Sequence, residues 1–117
     1  MKISEIKEKL GAQLVCGEDR LDEEVKSACC SDMMSDVLAF VKDQGVLLTG
    51  LLNSQVIRTA NMMDMVCVVF VRGKNPTPEI IELAKECGIV VMRTELRAYD
   101  ACGILYSAGL GRGERNE

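Results

Sequence analysis

The sequence predicts an α/β fold: a single three-layer domain in which a mostly parallel sheet is flanked by helices. Short runs that are almost entirely apolar alternate with stretches whose apolar residues recur at helical spacing. Continuous apolar runs are typical of parallel strands that are covered by helices on both faces. We therefore expect βα units joined by right-handed crossovers, which place successive strands side by side.

Length and composition set the limits of this fold. The chain has 117 residues, of which 48% are hydrophobic, and this fits one globular domain with its own core. We expect one domain over 1–117, with a less regular opening over 1–45, βα units over 46–110 and a frayed polar tail over 111–117. The longest uncharged apolar run, 65–71, is far shorter than the roughly twenty residues that span a bilayer, so no membrane contact is predicted. The charged start lacks an export signal, which predicts a cytoplasmic protein.

The second half of the chain has the clearest element boundaries. Its apolar runs predict strands over 46–49, 66–71 and 89–92. We expect Asn53 to cap the helix after the first of these strands. Thr77, followed by Pro78, should begin the next helix, and Gly88 should end it. A last helix is predicted from about Arg97.

The first part of the chain predicts helix, strand, turn, strand and helix. These elements cover residues 3–10, 13–16, 17–20, 25–30 and 32–41. We expect Asp32 to cap the second helix, whose inner stripe is Val37, Leu38 and Val41. In the last helix of the chain, the expected inner residues are Ala101, Ile104, Leu105 and Ala108.

Turns that follow the predicted strands carry the candidate ligand-binding residues. At these turns backbone N–H groups and helix dipoles favour an anion. The candidates are Thr49, Gly50, Asn53, Arg72, Gly73, Asn75 and Thr94. The glycines permit close approach, Arg72 and Lys74 supply positive charge, and the hydroxyls and amides supply hydrogen bonds, which together suit a phosphate or nucleotide. Ordinary strand-to-helix turns use the same residue types, and that interpretation stays open.

Motifs for catalysis and metal binding are missing from the sequence. The chain has no His, which removes the commonest general base and all His-containing zinc sites. Its six cysteines form no C-x-x-C pair, and the neighbours Cys29 and Cys30 should point to opposite faces of a strand. Gly73 and Lys74 lack the first glycine and the hydroxyl of a phosphate-transfer loop. We predict no catalytic residue, no metal and no cofactor, and an enzyme is the least favoured class.

Charge and methionine content bear on the partners. A net charge of −4 with scattered basic residues argues against nucleic acid. Seven methionines are present, with clusters at 33–34 and 62–65. Core filling is the commoner role of methionine. Adjacent methionines cannot all face one core from a helix, however, so we expect some of them at the interface of a homodimer.

One segment of the sequence resembles a known family. Residues 73–84 read Gly-Lys-Asn-Pro-Thr-Pro-Glu-Ile-Ile-Glu-Leu-Ala and lead into Gly88 and the run 89–92. Through this segment the stretch 47–110 resembles the DRTGG domain, a small α/β module found alone, between CBS domains of regulated inorganic pyrophosphatases and near the amino end of some phosphotransacetylases. The opening at 3–11 and the turn at 17–20 are more loosely similar to the amino-terminal domain of HPr kinase and of the Mur ligases.

The resemblance implies a non-catalytic module, dimeric where it is best understood and responsive to adenine nucleotides. Gly50-Leu51-Leu52 stands where relatives tend to have Gly-Asp-Arg, and Val71-Arg72-Gly73 where they have Thr-Gly-Gly. Our first hypothesis is a cytoplasmic regulatory homodimer that binds a nucleotide-like or other anionic ligand at these turns. The alternative is a ligand-free subunit that binds a protein partner through the methionine clusters and the two leucines. Some stand-alone relatives lie beside iron-hydrogenase genes, which adds a redox-linked role to this alternative.

Overall fold

The computed structural model describes residues 1–40 and 44–110, so residue 41 of the second predicted helix and the predicted tail lie outside the described residues. Within these ranges the chain forms five strands and five α-helices. In chain order they are α1 (Ile3–Leu10), β1 (Gln13–Cys16), β2 (Ser27–Cys30), α2 (Met34–Phe40), β3 (Gly45–Thr49), α3 (Gln55–Met62), β4 (Cys67–Phe70), α4 (Pro78–Cys87), β5 (Val90–Arg93) and α5 (Ala98–Ser107).

The strands form one mixed sheet in the order β1-β5-β4-β3-β2. From β2 to β5 each strand is parallel to the next one in the chain, and a helix joins each pair. β1 is antiparallel to β5, with Gln13 opposite Arg93. The predicted fold class, a mostly parallel sheet flanked by helices, is therefore confirmed.

Helices cover both faces of the sheet. α1 and α5 pack on one face in a cluster that contains Ile6 and Leu105, while α2, α3 and α4 pack on the other face around Phe70 and Ile57. Because successive residues of a strand enter opposite clusters, the strands need apolar residues throughout. Among residues 1–40 and 44–110, no helix has the length and apolarity needed to cross a membrane.

Local rules fix the ends of α3 and α4. The Thr77 hydroxyl oxygen accepts a hydrogen bond from the Ile80 amide at 3.3 Å, and Gly88 ends α4 in the left-handed conformation, as predicted. Asn53 lies two residues before α3, and its Oδ1 accepts from the Gln55 amide at 2.7 Å. The N-cap position of α3 is Ser54 rather than the predicted Asn53, and Asn53 contacts the first turn from one residue before the cap.

Asp32 does not cap α2, which corrects our expectation. The helix begins at Met34, and the Ser31 hydroxyl oxygen accepts a hydrogen bond from the Met33 amide at 2.9 Å. Ser31 therefore satisfies a backbone donor ahead of the helix. The carboxylate of Asp32 is bound at the end of β3 instead.

The predicted inner stripes of α2 and α5 are wrong at three positions. Val37 is buried, but Leu38 is 46% exposed. On α5, Leu105 is buried, whereas Ile104 is 36% exposed and Ala108 is exposed. Neighbours in a helix point about 100° apart, so a narrow contact with the sheet buries one residue of each adjacent pair.

Candidate functional site

The carboxyl ends of β2, β3, β4 and β5 lie at one edge of the sheet, because these strands are parallel and in register. We call the loops that follow them, at 31–33, 50–54, 71–77 and 94–97, the rim. The amino end of β1 also reaches this edge, since Gln13 pairs with Arg93. The loops of successive crossover units thus lie side by side, as the sequence predicted.

The loops after β3 and β4 meet at Gly50 and Arg72. A side chain at Gly50 would collide with the Arg72 guanidinium, whose Cζ lies 2.8 Å from the position of the missing Cβ. Arg72 has a φ of 61° and Gly73 a φ of 68°. The Lys74 amide closes this tight turn with a hydrogen bond of 3.3 Å to the Val71 carbonyl. Residues other than glycine rarely adopt this conformation, so the backbone of Arg72 is strained. This strained turn places the Arg72 guanidinium directly above Gly50.

Asp32, which the sequence did not assign to the site, binds the end of β3. Its Oδ1 accepts hydrogen bonds from the Gly50 amide at 2.9 Å and the Thr49 hydroxyl at 2.8 Å. Its Oδ2 lies 3.8 Å from the Arg72 guanidinium. The Gly50 amide, the Thr49 hydroxyl and then the charges of Arg72 and Lys74 hold the pKa of Asp32 below its usual range. This carboxylate occupies a place that we expected a ligand anion to fill.

We expect Asp32→Asn to lower the free energy of unfolding by about 1 kcal/mol at pH 7. The effect is small because 55% of the Asp32 side chain is exposed and solvent screens its charge. The folded pKa is depressed, so the carboxylate contributes stability above its unfolded pKa of about 3.9, and this is lost as the pH falls through the folded pKa. Urea unfolding of both proteins from pH 7 down to about pH 3 measures the difference. If the difference in unfolding free energy between the two proteins did not shrink at low pH, the Asp32 carboxylate would not be its source.

Arg93 fastens the loop after β4. Its guanidinium donates hydrogen bonds to the carbonyl oxygens of Gly73 and Lys74, at 2.8 and 3.2 Å. It also donates to Gln13 Oε1 at 2.7 Å and to Glu95 Oε2 at 2.9 Å. Only 15% of the Arg93 side chain is exposed. The Arg93 guanidinium therefore has all its described hydrogen bonds within the protein and stabilises the conformation of the rim.

Both threonines of the predicted site are buried. The Thr49 hydroxyl donates to Asp32, and the Thr94 hydroxyl donates to the Leu10 carbonyl at 2.8 Å. The Thr94 oxygen also accepts from the Leu96 amide at 3.2 Å. These hydroxyls already form hydrogen bonds within the protein, so the ligand site that we propose below does not include Thr49 and Thr94.

The remaining candidates differ in exposure. Arg72, Lys74, Asn53 and Asn75 are exposed, and we call these four side chains the open rim. Arg72 exposes 48% of its side chain. Gly50 is buried beneath it. The structure thus brings together charge and hydrogen-bonding groups from the loops after β3 and β4.

Backbone amides of the rim, which we expected to bind the anion, already have partners. The Arg72 amide donates to the Leu96 carbonyl at 2.7 Å. The Gly73 amide donates to the Thr94 carbonyl at 2.8 Å. An anion at the open rim would therefore meet the guanidinium of Arg72 and the ammonium group of Lys74 rather than these N–H groups.

α5 carries a second exposed surface that the sequence reading missed. The chain has two tyrosines, and both are exposed on this helix, Tyr99 to 88% and Tyr106 to 69%. They line a shallow depression together with Cys102, Gly103 and Ile104, and we call this surface the tyrosine face. Aromatic residues two helical turns apart are as typical of a core stripe as of an exposed face. The sequence pattern therefore did not show whether these tyrosines are buried or exposed.

The methionine clusters divide between core and surface. Met33 and Met62 are 63% and 66% exposed, whereas Met65 is buried and Met34 and Met63 pack against the core. Met33 precedes α2 at the rim, and Met62 ends α3, which runs away from the rim. The exposed methionines therefore lie at opposite ends of one helical layer, and the interface proposed for them stays a prediction.

All six cysteines are free thiols. Cys16 and Cys67 are buried, and burial raises the pKa of both. Cys29 packs against the cluster of α2, α3 and α4. At Cys30, partial desolvation followed by a hydrogen bond with the Cys102 thiol raises the pKa to about 12. In the part of the chain that the structure describes, no three His, Cys, Asp or Glu side chains are grouped to hold a metal ion.

The sheet topology and the rim define an α/β module whose loops converge at one edge. The family model of the DRTGG domain matches residues 5–108, and the chain therefore belongs to the DRTGG domain family. This confirms the resemblance found in the sequence.

A solved structure has the same fold. It contains the CBS and DRTGG domains of the regulatory region of Clostridium perfringens pyrophosphatase, complexed with the activator diadenosine tetraphosphate. The similarity has a TM-score of 0.72 at 18% identity and covers 99% of this chain and 51% of that chain. The chain thus spans about half the length of this neighbour, and at this identity the similarity shows the fold alone. No curated protein matches the chain.

Proposed function

We propose that the chain is a non-catalytic regulatory module that binds a phosphate-bearing ligand, such as a nucleotide, at the open rim. One observation carries the proposal. The half-exposed Arg72 guanidinium stands over Gly50, and its contact with Asp32 is 3.8 Å long. The guanidinium therefore lies at the edge where parallel sheets bind ligands, and its ion pair with Asp32 is weak.

The contact between Arg72 and Asp32 is weak enough to be exchanged. Both side chains are about half exposed, at 48% and 55%. Such a pair contributes at most about 1 kcal/mol. A phosphate group carries more charge than a carboxylate and accepts two parallel hydrogen bonds from a guanidinium. We therefore propose that the ligand phosphate replaces Asp32 as the partner of Arg72, while Lys74 and the two asparagines contact the rest of the ligand.

The pyrophosphatase neighbour guides the choice of ligand. Its regulatory region was solved with diadenosine tetraphosphate, which joins two adenosines through a chain of phosphates. That region is about twice the length of this chain, since the chain covers 51% of it. For this protein we propose adenine nucleotides and simpler phosphate compounds as the ligand class.

Arg72→Asn should weaken ligand binding at least about tenfold, because it removes the charge-assisted pair with phosphate. Asparagine tolerates the left-handed backbone of this turn, so the loop should keep its shape. Thermal unfolding and calorimetric titration with ATP, diadenosine tetraphosphate, inorganic phosphate and adenosine measure binding directly. At a ligand concentration about 100 times Kd, the wild-type protein should gain about 2.7 kcal/mol of stability.

Arg20→Asn is the matched control. Arg20 lies after β1, away from the rim, and its guanidinium pairs with Glu23 at 2.9 Å. This variant removes the same charge and one ion pair but should bind ligand like the wild type. Stabilisation by the phosphate compounds and not by adenosine supports the proposal. No stabilisation by any compound, or equal loss of affinity in both variants, would overturn it.

The tyrosine face favours a second candidate function, a subunit that binds a protein partner. Tyrosine is enriched at the centres of protein interfaces, because its ring packs while its hydroxyl stays hydrogen-bonded. Tyr99→Ala and Tyr106→Ala should abolish capture of such a partner while leaving the thermal response to nucleotides unchanged. Capture that depended on Arg72 rather than on these tyrosines would contradict this function.

We also propose that the module is a cytoplasmic homodimer. Six free thiols without a disulfide are typical of a reducing compartment. The exposed Met33, Met62 and tyrosine face offer apolar surface for a second copy. Light scattering of the purified protein checks the dimer, which should have twice the 12.8 kDa of one chain.

A further inference from the structure

Strand geometry places Cys30 on the same face of the sheet as α5. Side chains alternate along β2, and Ala28 packs against the cluster that contains α1 and α5. Cys29 packs against the opposite cluster. Cys30, two residues after Ala28, therefore points toward α5 from the end of the edge strand.

The position of Cys102 on α5 completes the pair. Ala101 and Leu105 are the buried residues of this helix, and Cys102 lies beside them, partly exposed. Cys30 lies opposite Leu48 of β3, which packs in the same cluster as α5, and the Cys102 thiol is close enough to help raise the pKa of Cys30. Two free thiols from separate elements thus lie near each other on one face of the sheet, close to the surface.

We propose that Cys30 and Cys102 are an oxidation site, at which a reversible intrachain disulfide ties α5 to β2. The oxidant is a peroxide. Cys102 lines the open depression of the tyrosine face, so we place the first step there. The Cys102 sulfur gives two electrons to hydrogen peroxide, the O–O bond breaks, and the products are a sulfenic acid and one water. The Cys30 sulfur then attacks the sulfenic sulfur, the S–O bond breaks, and the oxygen leaves as a second water with the Cys30 proton.

The disulfide would lie between the two exposed surfaces, the tyrosine face and the rim. Cys102 belongs to the wall of the tyrosine face, and Cys30 lies two residues before Asp32 in the rim. The bond would join the last described helix to the edge strand across a loop of more than half the chain. A long loop of this kind makes a disulfide strongly stabilising, because it restricts the unfolded chain.

Peptide mapping of the oxidised protein tests the site. The reduced protein is treated with hydrogen peroxide, alkylated and digested with trypsin without reduction. We expect the intact mass to fall by two hydrogen atoms and the peptides 27–42 and 98–112, which hold Cys30 and Cys102, to appear cross-linked. A dithiol should restore both thiols. The melting temperature of the oxidised monomer should rise by about 5 °C.

Cys29→Ser is the matched control for Cys30→Ser, because the neighbouring thiol lies in the same peptide on the opposite face. The cross-linked peptide should persist in Cys29→Ser and should fall at least about tenfold in Cys30→Ser and Cys102→Ser. Dibromobimane, which fluoresces when it bridges two nearby thiols, tests the contact independently of peroxide. Equal cross-linking in Cys30→Ser, disulfides only between chains, a lowered melting temperature, or bimane bridging without disulfide formation would each overturn the proposal.

Discussion

Gly17→Ala should lower the free energy of unfolding by about 3 kcal/mol or more. Gly17 follows β1 with a φ of 98°, a conformation that side chains rarely permit. A Cβ at this position would also lie 2.8 Å from Val90 Cγ2 and 2.9 Å from Val90 Cα. Because the Cα belongs to β5 in the sheet, it cannot move aside without disturbing strand pairing.

Gly11→Ala separates the two causes of this effect. Gly11 ends α1 with a φ of 58°, but no atom beyond Gly11 and its two chain neighbours lies within 4 Å of the position of its missing Cβ. This variant should lose only about 1 kcal/mol, the cost of the backbone conformation alone. Urea unfolding of the two variants measures both losses. Equal losses would show that the approach to Val90 does not determine the cost at Gly17.

Thr94→Val should cost about 2 kcal/mol of stability. Valine has nearly the same shape, but it removes the hydroxyl that donates to the Leu10 carbonyl and accepts from the Leu96 amide. The Leu10 carbonyl would then lack this partner at a buried position and the Leu96 amide at a partly buried one, which is more costly than the loss of an exposed hydrogen bond. Denaturant unfolding against the wild type gives the magnitude.

Thr77→Val is the comparison for Thr94→Val, because the Thr77 hydroxyl caps α4 at an exposed position. Thr77→Val should lower the free energy of unfolding by about 1 kcal/mol, which is typical of the loss of a helix cap. Thr94→Val should leave the affinity for phosphate compounds unchanged at temperatures where the variant is folded. A loss of affinity with unchanged stability would instead place Thr94 in the ligand site.

The parallel part of the fold was predictable because its signals are local. Continuous apolar runs predicted β3, β4 and β5, and Thr77, Pro78 and Gly88 predicted both ends of α4. The partner of β1 was not predictable in the same way. Periodicity indicates a strand, but the pairing of Gln13 with Arg93 depends on contacts between distant parts of the chain.

The site was predictable as a location but not as a set of contacts. The turns after the strands predicted Gly50 and Arg72, which the fold brings together. Ser31 and Asp32 are both good helix caps, and the choice between them depends on the register of β2 against β3, which places the rim end of β2 beside that of β3. An acidic residue two positions after the end of a strand in a parallel sheet is the signal that would have marked Asp32.

The pairing of β1 with β5 determines when this molecule finishes folding during synthesis. During synthesis α1 and β1 leave the ribosome before their partners β5 and α5. Until those partners emerge, the apolar side of α1, including Ile3 and Ile6, lacks part of the cluster that buries it. The crossover units from β2 to β4 precede β5 in the chain and can assemble meanwhile. The domain is therefore completed only when α1 and β1 dock onto β5 and α5, and a chain stalled before β5 exposes an apolar helix to chaperones and proteases.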